Sequence, residues 1–228
     1  MNAIIFDLFG TLIEEKKYDY CHALHWLADT YFAGRYDELK ALSLKFKDDY
    51  MRMRKISECE TSFFKQLALF ERELHIKLCD DYSSVEFNFI RRFREEKMVK
   101  GVRELLEYLH LKNRNIYILT NSIFSGDNLK KYLDITFGTE TYLKKVYSSA
   151  DIGFRKPSKK IFQYVLTELG ITHPEEVFYI GDSPEKDYFG AKAAGLTPIL
   201  LGPIVDAPGL AFSDMGDLYQ YFQGIYGF

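Results

Sequence analysis

Several things are scarce in this sequence, and each scarcity excludes something. Cysteine occurs three times, at Cys21, Cys59 and Cys79. The odd number, the wide spacing and the lack of any C-x-x-C pattern argue against a disulfide framework or a zinc site. Buried or free thiols in a reducing compartment are expected instead. No apolar run reaches the roughly 18–20 residues of a bilayer-spanning helix, and the first residues lack the basic start and long apolar stretch of a secretory signal. A soluble cytoplasmic protein without a membrane partner is therefore expected. Neither sign of charge dominates, with 30 Lys and Arg against 33 Asp and Glu and a formal charge of −3. This implies no nucleic acid partner. The basic stretch "RRFREEK" at 91–97 is interleaved with acids, as on a solvated helix face.

Proline is absent from 14–98. There "HALHWLADTYF", "YDELKALSLKFKDDYMRM", "FFKQLALFERELHI" and "VEFNFIRRFREEKM" each space their apolar residues as helices do. About four helices forming a bundle of their own are expected. On either side the rhythm differs. "AIIFDL" at 3–8 reads as a buried strand, and after Gly101 helices alternate with the strands "NIYILTN", "KVYSSA", "EVFYIGD" and "TPILLG". Alternation of this kind predicts a parallel sheet with right-handed crossovers. The aromatic tail "LYQYFQGIYGF" is expected to pack a last helix on that sheet. The 228 residues suffice for one core and a smaller satellite. The fold expected is thus α/β: a Rossmann-like parallel-sheet core from 1–13 and 99–228, with an inserted all-α bundle at 14–98.

Parallel sheets bind ligands beyond the carboxyl ends of their strands, and polar residues cluster there. Asp7 ends the first strand ahead of a Gly10–Thr11 turn whose backbone amides can surround an anion. Thr120 and Asn121 end the next strand with a hydroxyl and an amide suited to orienting an anionic group. Lys156, just before a helix start at Pro157 and Ser158, is a cation placed where the helix dipole prefers anions. In "IGDSPEKDYFGAKAAG", Asp182 ends a strand, Ser183 can cap the following helix, Pro184 suits its first turn, and Asp187 lies near its start. Acids at the mouth of the sheet make an oxygen-rich site suited to Mg²⁺.

Taken in order, D-x-x-G-T, T-N, R-K-P and G-D-S-x-x-x-D resemble the haloacid dehalogenase-like hydrolase superfamily, over nearly the whole chain. The resemblance implies that Asp7 is the nucleophile of an aspartyl intermediate. Thr120 would hydrogen-bond the transferred group, with Asn121 beside it at the substrate. Lys156 would neutralise charge on that group and on Asp7. Asp7, the Phe9 backbone carbonyl, Asp182 and, to a lesser degree, Asp187 would hold Mg²⁺. The helical insertion resembles the cap of the family's helical-cap subclass, which closes over the site and confers specificity. The implied partner is a small, phosphorylated molecule; the sequence carries no signal of oligomeric state.

One position departs from the pattern. The family's phosphatases usually carry a second Asp two residues after the nucleophile, which protonates the leaving oxygen and then activates water. Here that residue is Phe9. Three readings stay open: a phosphatase that is slow or confined to good leaving groups; a relative of the 2-haloacid dehalogenases, whose halide leaves without a proton; or a weakly catalytic member that binds a phosphorylated ligand or a protein partner. Retention of Asp182 and Asp187 favours phosphate. His22 with His25, Arg52 with Arg54, and the aromatics Tyr18, Tyr20 and Trp26 lie in the insertion, where packing or an exposed helix face accounts for them. Ser122 and Arg155 flank the matched positions.

Overall fold

The computed structural model describes residues 3–202 and 209–227. Residues 1–2, 203–208 and 228, included in the core above, lie outside the described residues. Six parallel strands form one sheet in the order β5-β4-β1-β6-β7-β8. They are β1 (Ala3–Phe6), β4 (Asn115–Thr120), β5 (Leu143–Ser148), β6 (Phe178–Gly181), β7 (Thr197–Leu201) and β8 (Ala211–Phe212). Strand β1 is buried throughout, which is why it reads as an unbroken apolar run. Its alternation serves two cores. Ile4 and Phe6 join the larger cluster with α5 (Val102–Leu111), α6 (Gly126–Phe137) and α10 (Met215–Tyr226). Ala3 and Ile5 join the other with α8 (Lys159–Glu168) and α9 (Gly190–Ala193). β1 lies between β4 and β6 in register (Phe6 beside Ile118 and Ile180), so Asp7, Thr120 and Asp182 emerge at one end of the sheet.

Four helices are inserted between β1 and α5: α1 (Tyr20–Tyr31), α2 (Tyr36–Ile56), α3 (Phe63–Leu74) and α4 (Tyr82–Phe93). Asp19, Ser62 and Asp81 cap three of them, each accepting a bond from a backbone amide of the first turn. The ends of this stretch differ from the sequence expectation of helix. β2 (Ile13–Tyr18) and β3 (Arg94–Met98) form an antiparallel two-stranded ribbon. Helix α4 stops at Phe93, and "REEKM" is strand. The ribbon shows no apolar alternation because only Ile13 of β2 and Glu96 of β3 are buried. Exposed charges pair across it, with Lys97 Nζ 2.9 Å from Glu14 Oε1 and Lys16 Nζ 3.5 Å from Glu95 Oε1.

Two further contacts join insertion and sheet. The segment between α2 and α3 runs against the one preceding Lys156. Arg155 N donates to Glu58 O at 2.9 Å, Glu60 N to Gly153 O at 2.9 Å, and Phe63 N to Ile123 O at 2.7 Å. The buried Glu60 carboxylate accepts from Ser149 Oγ at 2.9 Å. Likewise Glu86 of α4, buried, accepts from Ser125 N at 3.1 Å and Asn128 Nδ2 at 2.8 Å at the start of α6.

The stretch expected as one helix after Asp182 is a wide π-type turn, Pro184–Phe189, followed by the short α9. The wide turn swings Asp187 inward, where Ser183 N donates to its Oδ2 at 3.0 Å. The two-residue β8 was not foreseen. All three cysteines are free and exposed. No helix among the described residues is long and apolar enough to cross a membrane.

Candidate active site

Lys156 is the centre of the arrangement. Its ammonium, 2 % exposed, donates to Asp187 Oδ1 at 2.5 Å, Asp7 Oδ1 at 2.6 Å and Tyr179 Oη at 2.7 Å. Asp7 leaves β1 with its own amide bonded to Ile180 O at 2.8 Å, which fixes its backbone to the neighbouring strand. Asn121 grips the lysine from behind: Lys156 N donates to Asn121 Oδ1 at 2.8 Å, and Asn121 Nδ2 donates to Lys156 O at 3.0 Å. Each end of that amide thus holds the Lys156 backbone, with one N–H and one lone pair left over. Thr120 ends the adjacent strand fully buried, and its hydroxyl has no partner among the described residues.

Asp7, Asp182 and Asp187 each present a carboxylate oxygen within 4.8 Å of the others. Two glycines make this possible. Gly10 sits at φ +87°, and a Cβ there would collide with the Asp182 carboxylate; a Cβ on Gly181 would collide with Asp187. The electrostatics follow from crowding. Burial raises Asp7 to about 6; Lys156 opposes this and Asp187 adds to it. Burial, then Asp187, also raises Asp182. Burial works to lower Lys156, but the facing Asp7 and Asp187 outweigh it and the ammonium is held above its ordinary value. Three carboxylates against one ammonium leave a formal deficit of two positive charges. An all-oxygen set with that deficit fits a hard divalent cation.

Phe9 is half-buried beside this cluster, and the Arg94 guanidinium of β3 lies 4.0 Å from its ring centroid. Arg94 is also bonded to Glu96 through Nε and to the Tyr18 hydroxyl at 2.6 Å. The residues weighed in the insertion bond to or stack on neighbours within it, Tyr20, Trp26 and Arg54 half-buried and His25 and Arg52 exposed. Tyr20 Oη donates to Ser43 Oγ at 3.0 Å, Trp26 stacks under Arg92, and His25 stacks on Tyr36. Arg52 pairs with Asp49, and Arg54 lies over Tyr50. Ser122 N donates to Ser149 Oγ at 2.9 Å, and Arg155 Nε lies 4.0 Å from Glu60.

Sequence reasoning overlooked Tyr179 and Glu60. A tyrosine inside an otherwise apolar strand, three residues before Asp182, was the available signal for the first, because a buried phenol needs a hydrogen-bond partner. Glu60 gave none, standing in a polar break between helices.

Known proteins resemble this chain in sequence and in fold. YfnB of Bacillus subtilis (strain 168), named a HAD-hydrolase, is 33% identical over 115 residues, covering 50% of this chain and 47% of that protein. A phosphoserine phosphatase of Thermus thermophilus is 26% identical over 111 residues, covering 49% and 43%. The chain thus spans about half the length of the curated relatives it matches. Among solved structures, a 2-haloacid dehalogenase from Pseudomonas syringae shares the fold with a TM-score of 0.62 at 17% identity, over 99% of both chains. The profile of the haloacid dehalogenase-like hydrolases matches residues 1–195, and by that match over most of its length the chain belongs to this family of hydrolases.

Proposed function

We propose that this hydrolase is a Mg²⁺-dependent phosphatase acting on a small phosphorylated metabolite through an aspartyl-phosphate on Asp7. The observation that carries the reading is the buried Lys156 ammonium bridging Asp7 and Asp187, 2.6 and 2.5 Å away, with Asp182 in the same cluster. A nucleophilic carboxylate attacking an anionic phosphoryl group must overcome mutual repulsion, and preorganised positive charge removes it. Asp7, Asp182 and Asp187, with the backbone carbonyl of Phe9, would hold Mg²⁺, whose chemistry there is neutralisation of phosphoryl charge. Lys156 keeps one Asp7 oxygen oriented while the other attacks. The unpartnered Thr120 hydroxyl is free to donate to a phosphoryl oxygen.

Phe9 has no proton to give or take. A positioned acid–base group contributes roughly 10²–10⁴-fold, so the reading favours substrates with good leaving groups, such as acyl phosphates. The helical insertion at 14–98 serves as a cap over a core of 1–13 and 99–228, excluding bulk water on closure. The name of the Thermus relative supports phosphate as the group transferred.

A second reading, 2-haloacid dehalogenation, is favoured by Phe9 alone, since a halide leaves without a proton; a weakly catalytic phospho-ligand binder would share the same site. The deciding experiment is steady-state hydrolysis of an activated aryl phosphate by the purified protein, with Mg²⁺ and with EDTA. Phosphate release only with Mg²⁺ is expected. Silence in both, followed by chloride release from 2-chloropropionate, would replace the phosphatase reading with the dehalogenase.

A further inference from the structure

An ammonium has three N–H bonds, and in Lys156 the protein takes all three, through Asp187, Asp7 and Tyr179. A ligand anion that uses this lysine must therefore displace a partner. Bonds to carboxylates are charge-assisted and roughly twice as strong as neutral ones. The Tyr179 oxygen belongs to an uncharged phenol, whose ordinary pKa is about 10. It is the weakest of the three acceptors, and so the one to yield.

Tyr179 is also built to survive the exchange. Its own proton has two acceptors, Asp187 Oδ1 at 3.0 Å and Leu119 O at 3.2 Å, and can serve one at a time. When Lys156 turns away, the hydroxyl still has a buried partner. Its ring stays in place, fully buried and edge-on to Phe162 with centroids 5.2 Å apart.

We infer that Tyr179 is a positioning residue that occupies the third N–H of Lys156 as a stand-in for a ligand oxygen, so that an anion must displace it before it can bond this lysine. Weak monoanions are thereby kept off the lysine, and a phosphoryl dianion, with more charge to offer, is the ligand that overcomes the barrier. The inference rests on the phosphatase reading for its choice of ligand, but not on turnover.

The test is calorimetric titration of the Mg²⁺-loaded wild type and Tyr179→Phe with inorganic phosphate and with chloroacetate, alongside kcat and KM on the aryl phosphate. Phenylalanine keeps the ring against Phe162 and removes only the hydroxyl; Tyr179→Met is the second variant should the first not fold. Without the stand-in, the ammonium carries a buried N–H that only a ligand satisfies. Both anions should then bind about three- to tenfold tighter, and KM should fall by the same factor without a rise in kcat. A purely structural role would lower the melting temperature and leave anion affinity alone. Unchanged or weaker phosphate binding in a folded variant overturns the inference, as does absence of phosphate binding by both proteins. Tighter binding with no turnover by either protein would leave it standing and sink the phosphatase reading; turnover without tighter binding would do the reverse.

Discussion

Arg94 lays its guanidinium on the face of Phe9, 4.0 Å from the ring centroid, while Glu96 and Tyr18 hold its nitrogens. The position where an acid–base residue would stand is therefore already a cation's platform. Substituting Phe9→Asp would place a carboxylate against that cation, which would favour its ionised form and blunt it as a proton donor. The expected gain in phosphatase turnover is below about tenfold, far under the usual acid–base contribution of roughly 10²–10⁴. Turnover numbers for the two proteins check this. A gain of two orders of magnitude would mean that Arg94 does not govern the position.

Asp7→Asn separates chemistry from folding. Turnover should fall by several orders of magnitude, as when a nucleophile is removed. The amide oxygen can still accept from Lys156, while one of three crowded charges disappears. The metal-free variant should melt higher than the wild type at pH 7, on a scale of about 2–4 °C per kcal/mol for a chain of this size. A thermal melt and an assay on one preparation suffice; retained turnover would end the case for Asp7 as nucleophile.

The raised Asp7 pKa also has a signed pH consequence. Between its ordinary 3.8 and about 6, the unfolded chain has released this proton and the folded chain keeps it. The contribution of Asp7 thus favours folding below 3.8 and is lost as pH rises to about 6. Mg²⁺ needs the ionised carboxylate, so its binding should release a proton near pH 5 and none from Asp7 at pH 8. The gain in melting temperature on adding Mg²⁺ should accordingly be larger at pH 8. Equal gains at both values would show that Asp7 is not in the metal site.

Asn121→Ala tests positioning against substrate contact. Loss of both bonds to the Lys156 backbone should cost about 1–3 kcal/mol in urea unfolding. It should also lower kcat, with KM held within about twofold. A raised KM at unchanged stability would instead put the Asn121 amide on the substrate.

How far the sequence revealed this depended on what each feature rests upon. Five of the six sheet strands were legible as apolar runs and the two half-buried residues of β8 were not; Asp7, Thr120 and Asp182 were legible because each interrupts such a run at its end. Asp187 was visible as a residue, but not the π-type turn that brings it to Lys156, since turn width depends on contacts across the sheet. The ribbon of β2 and β3 was hidden: Glu14 with Lys97 and Lys16 with Glu95 pair across strands, and charges read along one strand look like a helix face. Asn121 suggested a ligand contact because its type fits one; only the fold shows that its amide also bonds the Lys156 backbone at both ends.

The ribbon sets Ile13 opposite Met98, so the chain's long excursion departs from and returns to a single place beside the sheet. The entropy of closing a loop grows only slowly with its length once the ends are joined. Segments of that excursion that do not carry the bonds of Glu58, Glu60, Phe63 and Glu86 to the core could therefore be lengthened or exchanged at little cost to the six strands. A lineage could redraw much of the insertion and keep the cluster of Asp7 and Lys156 untouched.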